Sequence, residues 1–328
     1  MLRTDGLLTD VAGVRVGHWT DLAAGTGCTA VLPPEGSVGG VEVRGGGPAS
    51  RELELLGAHT SVESITALMF SGGSAFGLDT ASGAMRWCEE QGLGHDTGAA
   101  RVPLIAAACI YDLGITGNAR RPGAEEGYLA CAAAREGEYS RGCAGAGTGA
   151  TVAKLRGQDA WCKGGLGSAS LVTRDGVSVA ALAVVNAWGD VLDADGTALA
   201  CAVDEAGRPV RASERVITHP PEHPRLAPPA NTTLVCLATD ARLSKAQAVQ
   251  VARMAQAGMA RAVSPVHTPF DGDVTVCFAT GVRPASLFVV GVAAAEVTGA
   301  AIRDAVRRAV GLRGVPTGRE RIAGAGAG

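Results

Sequence analysis

An α/β fold built from stacked layers of sheet and helix is what the 328-residue sequence predicts. Three observations carry that expectation. Continuous apolar runs such as ITALMF (65–70) and VPLIAAACIYD (102–112) read as strands buried on both faces. Over 245–262, Ala248, Val251, Ala252, Ala255 and Met259 share one face of a helix. The 47 glycines cluster in blocks beside these elements, a pattern of tight turns and close backbone approach, unlike a flexible linker.

In chain order, VAGVRVGHW (11–19) and CTAVLPP (28–34) read as short strands joined by a turn. GGVEVRGGGPASRELELL (39–56) gives a strand, the run Gly45-Gly46-Gly47 and a short helix. ITALMF is followed by the loop SGGSAFG (71–77), which feeds a helix from Ser74 to about Glu90. After VPLIAAACIYD, residues 113–145 read as loop-rich, with the character of a flap. Strands follow in TVAKLRG (151–157) and in SASLVTRDGVSVAALAVVNAWGDVLD (168–193), where Asp175-Gly176 marks a hairpin turn. Residues 202–230 are polar and proline-rich, the signature of an exposed linker. TLVCLA (233–238) is a strand, and Ser244 with Gln247 forms a capping box for the helix over 245–262. DVTVCFATG (273–281) and SLFVVGVAA (286–294) read as further strands, GAAIRDAVRRAVG (299–311) as a last helix, and 313–328 as a frayed tail. No internal repeat is found, and the length admits two domains or one large layered α/β unit equally well.

Composition narrows the function classes. With 47% hydrophobic residues, 19% charged and a net charge of −3, the chain has ample material for a core and no electrostatic case for nucleic acid. Aromatics at 4% leave few stacking platforms for bases. No apolar run reaches the length of a membrane span, and the first residues lack a signal-peptide core, so a cytoplasmic location is expected. The nine cysteines stand singly, without CxxC spacing, mostly among Ala, Val and Leu, and read as buried free thiols.

Three kinds of chemistry compete. GAGTGATVAK (145–154) and SGGSAFG look like phosphate cradles, but the P-loop spacing fails at Lys154-Leu155 and the dinucleotide pattern lacks its flanking elements. Their N–H groups would then either close turns between layers or form an anion-stabilising nest. His219 and His223 stand four apart in the proline-rich segment, off any helix, and Asp271-Gly-Asp273 lacks the rest of a calcium loop, so neither metal nor cofactor is expected. The third candidate is the junction Asn231-Thr232, where the polar segment meets a β-branched strand without a softening turn. A threonine hydroxyl needs a base. The threonine's own α-amine, with an ordinary pKa of about 7.7–8.0, can serve only if the chain is cut before it.

Read end to end, the chain resembles the self-processing aminopeptidases of the L-aminopeptidase/D-esterase-amidase type, a family that includes the nylon-oligomer hydrolases. The resemblance runs through LTDVAGVRVGHWTD (8–21), ITALMFSGGSAFGLDTASG (65–83), GAGTGATVAKLRG (145–157), KGGLGSAS (163–170), VVNAWGDVLD (184–193), NTTLVCLATDARLSKAQ (231–247) and SPVHTPFDGDVTVCFATG (264–281). It implies a four-layer αββα sandwich and a precursor cut after Asn231 into an α chain, 1–231, and a β chain, 232–328. It further implies Thr232 as nucleophile and Asn186 as side-chain donor to the oxyanion. Lys154 would stand beside the nucleophile with Lys163 as competitor, Asp271 and Asp273 would be the orienting acidic pair, and Tyr111 would line the substrate pocket. It also implies small peptide or amide substrates and a homo-oligomer, tetrameric or larger. One position departs from the aminopeptidases: Cys109 stands where they carry a glutamate for the substrate's free amine, which leaves Asp112 as the nearest possible substitute. An acyl-threonine can pass its acyl group to an amine as well as to water, so acyl transfer is the alternative activity. A glycine-rich binding scaffold that is never cut is the non-enzymatic one.

Overall fold

The computed structural model describes residues 2–3, 5–117, 120–204, 206, 208–219 and 231–324. Its larger sheet contains β3 (Val38–Gly45), β7 (Gly165–Val172), β8 (Ser178–Asn186), β9 (Thr232–Ala241) and β10 (Gly272–Arg283). These stand in the order β7-β8-β9-β10-β3, with the two-residue strand Leu2–Arg3 outside β7. The smaller sheet, in the order β1-β2-β5-β6-β4, contains β1 (Arg15–Asp21), β2 (Thr26–Leu32), β4 (Ala49–Arg51), β5 (Ala67–Ser71) and β6 (Ile105–Cys109). Each sheet is antiparallel except for one parallel pair, β9 with β10 and β5 with β6.

The alternation of side chains along each strand sends apolar groups to both faces, which forces each sheet to be covered twice. Between the sheets lie Val31, Leu68, Phe70 and Ile110 against Leu182, Val184, Leu234, Val276 and Phe278, all fully buried. Each such side chain contributes roughly 1.5–3 kcal/mol by leaving water. The outer face of the larger sheet carries α3 (Lys245–Ala262) and α4 (Leu287–Arg308). That of the smaller sheet carries α1 (Thr80–Glu90) and α2 (Ala124–Ala132). The result is a four-layer αββα sandwich, as the resemblance implied. Glycine makes the tight helix pairs: a Cβ at Gly258 would lie 2.0 Å from the Ala295 carbonyl of α4, and one at Gly83 1.6 Å from that of Ala124.

Several expected elements hold closely. The helix predicted over 245–262 spans those residues, with Ser244 accepting from the Gln247 N–H and the Gln247 side chain returning the bond. The hairpin β7–β8 turns at Gly176, whose φ is 79°. All nine cysteines are free and all but Cys143 are buried.

Others are corrected. SLFVVGVAA is no strand: after Ser286 the run opens α4, with Val290, Ala293, Ala294 and Val297 on the buried face and Phe288 exposed. An apolar run rich in small residues has no period to betray it, and tertiary packing decides. The supposed flap contains α2 and the turn Leu113–Thr116. Within the expected linker, Ala202–Val203 pairs with Pro209–Val210 and residues Ala212–Thr218 are helical, while 220–230 lie outside the described residues. The tail does not fray up to Gly324. Arg313 donates to the Ile115 carbonyl at 3.0 Å, the Pro316 carbonyl accepts from Lys163 N at 2.8 Å, and α5 (Gly318–Gly324) follows.

Candidate active site

The strand β9 begins at Thr232, in register opposite Asn186 at the end of β8. On its other side the parallel neighbour β10 begins at Gly272, and Asn231 bridges to Asp271 just before it. Three strand ends therefore meet around one threonine, which is 4% exposed. Its Oγ1 lies 2.5 Å from the carbonyl oxygen of Asn231. That carbonyl also accepts the Gly272 N–H at 2.8 Å, and the Asn231 side-chain amide donates to the Phe270 carbonyl at 3.1 Å. The glycine run 45–47 makes this approach possible. Gly47 N donates to the Asp271 carbonyl at 3.0 Å, and a Cβ at Gly272 would come within 2.5 Å of the Gly47 carbonyl.

Both acidic residues are buried and fully engaged. Asp271 Oδ1 accepts from Trp188 N at 3.2 Å, while Oδ2 accepts from Thr268 N at 3.2 Å and from the Thr268 hydroxyl. Burial, and then the neighbouring Asp273, push the Asp271 carboxyl up to about 6. Asp273 Oδ1 accepts the Thr233 N–H at 2.7 Å, and its Oδ2 is held by His267, at 2.8 Å from Nδ1 and 3.2 Å from the backbone N.

The two lysines meet different partners. Lys154 Nζ donates to Asn186 Oδ1 at 3.1 Å and to the Asn186 carbonyl at 3.2 Å, with the Trp161 ring 5.2 Å away. Burial brings its ammonium down to about 7, against the pull of Asp271. Lys163 is fully buried elsewhere, with Nζ on the carbonyls of Thr148 and Ala150 at 2.9 and 2.6 Å. It ties down the turn over 145–150, and burial brings it to about 8.

Asn186 Oδ1 also accepts from Thr151 N at 3.0 Å, which fixes the amide so that Nδ2 donates to the Tyr111 carbonyl at 3.2 Å. Tyr111 thus reaches the site through its backbone. Cys109 is buried inside β6, opposite Ala49 and Ser71. Asp112 is buried and engaged: its carboxyl accepts from Thr26 Oγ1 at 2.6 Å and Gly73 N at 2.7 Å, and burial pushes its pKa up.

Beside the site lies a cavity of about 760 Å³, lined by Leu155 and Trp188 on one side and by Asp204, Val210 and Arg215 of the expected linker on the other. Several N–H groups of the glycine motifs are used within the fold. The N–H groups of Gly145 and Ala146 go to Thr20 and Thr29 hydroxyls, and those of Gly72 and Ser74 to the carbonyls of Gly27 and Ile110. His219 Nδ1 bonds the Thr218 hydroxyl, and His223 lies outside the described residues. Sequence reasoning missed His267, Thr268, Gly272 and Trp188. The first three were legible only as neighbours of the acidic pair in SPVHTPFDGD, and Trp188 only from its place two residues after Asn186.

A buried threonine hydroxyl, a lysine, an amide and two carboxyls at the strand ends of an αββα sandwich fit a hydrolase of peptide or amide bonds. The model for peptidase family S58 matches residues 6–319, and the chain belongs to that family. It is 39% identical to a Mycobacterium tuberculosis protein described as an uncharacterized aminopeptidase, over 97% of this chain and 98% of that one. It is 28% identical to a 6-aminohexanoate-oligomer endohydrolase of Paenarthrobacter ureafaciens, over 83% of this chain and 74% of the relative. The solved structure of a Burkholderia β-aminopeptidase superposes with a TM-score of 0.72 at 25% identity, covering 97% of this chain and 92% of that one.

Proposed function

We propose that the chain is a precursor that cuts itself between Asn231 and Thr232. The freed Thr232 is then the nucleophile of a hydrolase for small peptides or peptide-like oligomers. What supports this most is the Thr232 hydroxyl, which donates at 2.5 Å to the carbonyl oxygen of the very bond it would cut, a carbonyl also polarised by the Gly272 N–H. In the cut, Oγ1 bonds to the Asn231 carbonyl carbon, and the charge that develops on the oxygen faces that N–H. The 231–232 C–N bond then breaks, the proton that Oγ1 gave up passes to the leaving nitrogen, and water hydrolyses the ester to leave an Asn231 carboxylate and a free Thr232 amine.

In turnover that amine takes the Oγ1 proton as Oγ1 attacks a substrate amide. Asn186 and backbone N–H groups hold the oxyanion, and the protonated amine hands its proton to the leaving nitrogen. Water then attacks the acyl-threonine, with the amine again as base. Lys154, beside Asn186, places a partly charged amine close to the nucleophile and so disfavours protonation of the Thr232 amine. Asp273 fixes the Thr233 N–H just after the cut, Asp271 fixes Trp188 and Thr268 beside it, and Tyr111 borders the substrate. The chemistry calls on no cofactor. With Cys109 buried and Asp112 engaged, neither supplies an ion pair for a substrate amine. We extend the proposal to a cytoplasmic homo-oligomer, tetrameric or larger; the exposed Phe288 on α4 is the kind of apolar surface that such contacts cover.

The test is acid quenching during turnover of a small amino-acyl p-nitroanilide, followed by mass analysis of the fragments. An acyl increment on the fragment that begins at residue 232, kept in Thr232→Ser and lost with activity in Thr232→Ala, is expected. Undiminished hydrolysis by Thr232→Ala, or an increment on another residue, would overturn the proposal.

A further inference from the structure

His267 belongs to no role assigned so far, yet its surroundings are unusual in three ways. Its φ of 54° is left-handed, a conformation that a bulky residue adopts only when its surroundings impose it. Its Nδ1 lies 2.8 Å from Asp273 Oδ2 and its backbone N 3.2 Å from the same oxygen. Its Nε2 is buried and has no partner among the described residues. A carboxylate oxygen only accepts, so Nδ1 must carry a hydrogen, and in the neutral ring Nε2 is then the bare acceptor. The other oxygen of Asp273 accepts the N–H of Thr233, the residue after the nucleophile. A continuous line thus runs from the His267 ring through one carboxyl group to the start of β9.

We propose that His267 is a positioning residue for Thr232. It holds the Asp273 carboxylate in the orientation that fixes the Thr233 N–H, and through it the direction of the Thr232 hydroxyl. The inference rests on the self-cleavage reading and deepens it. The charged and titratable groups around Asp273 are Asp271, packed beside it before β10, His267 itself, and Lys154, which reaches the pair through Asp271. A donor to Asp273 favours the charged form of this acidic pair. Without it, that support for the charged form is lost.

The test compares His267→Ala with His267→Asn, whose side-chain N–H stands near the position of Nδ1 and whose backbone tolerates positive φ. The readouts are the rate of chain cutting, followed by denaturing mass spectrometry, and the pH profile of hydrolysis by cut protein. Losing a hydrogen bond to a charged group predicts a fall of about 10- to 100-fold for His267→Ala. Its acid limb should also move to higher pH, whereas His267→Asn should recover most of the rate and the original limb. An Ala variant that matches wild type, or Ala and Asn variants equally slowed with unmoved limbs, would refute positioning by His267. Neither result would touch the nucleophile assignment, which fails if wild type itself stays uncut or if Thr232→Ala hydrolyses substrate undiminished.

Discussion

Gly272→Ala probes the strand junction without touching a single side chain of the site. The added Cβ would stand 2.5 Å from the Gly47 carbonyl and 2.7 Å from Pro48 Cα, where ordinary contacts begin at 3.4 Å. Backbone must therefore move by about 0.7–0.9 Å, and both neighbours are pinned, since Gly47 N–H holds the Asp271 carbonyl at 3.0 Å. The overpacking should cost about 1–3 kcal/mol of stability. The larger effect is on chemistry, because the residue displaced is the one whose N–H sits 2.8 Å from the Asn231 carbonyl. A misplacement on the order of 1 Å at a reacting centre costs roughly 100-fold. Cutting, followed by denaturing mass spectrometry over time, should slow by about that factor. Gly36→Ala is the control. Its φ of 80° strains any side chain, but nothing lies within 4 Å, so it should lose about 1 kcal/mol and cut normally. A Gly272→Ala protein that cuts at the wild-type rate, or a Gly36→Ala protein slowed as much, would refute the reasoning.

Lys154→Met should lower hydrolysis by about 100-fold while stabilising the fold at neutral pH, since it removes a buried amine. Lys154 goes from 10.5 unfolded to about 7 folded, so the unfolded chain binds more protons between those values and wild-type stability rises with pH across that window. The variant's advantage in urea unfolding should therefore shrink from pH 7 to pH 9, and a pH-independent difference would contradict this. Lys245 Nζ donates to the carbonyls of Leu55 and Thr60 at 2.8 and 3.0 Å and also contacts Val62 and the Thr60 hydroxyl. Lys245→Met should cost about 1–3 kcal/mol in thermal unfolding by orphaning those acceptors, with cutting unchanged.

Local signals carried much of this fold. The capping box at Ser244 and the apolar stripe over 245–262 placed α3 to the residue, because a helix N-terminus and a helical period are short-range facts. The β-branched run after Asn231 placed the start of β9 for the same reason. What stayed hidden was decided at long range. Residues 286–294 are apolar without a period, and only their packing on the larger sheet makes them helical. Lys154 and Lys163 look alike in sequence, and what separates them is the carbonyl that each amine meets once β8 and the turn over 145–150 are in place. The tail docks because Arg313 finds the Ile115 carbonyl, a partner far away in sequence. His267 is the clearest case, since a left-handed histidine against a buried carboxyl has no local signature.

The central claim is that Thr232 frees its own amine, and intact mass under denaturing conditions tests it most directly. Freshly purified wild type should give two chains, residues 1–231 and 232–328, and Thr232→Ala a single chain. A wild-type chain that stays whole on incubation would contradict the account, because Thr232 would then never gain the amine that the mechanism requires.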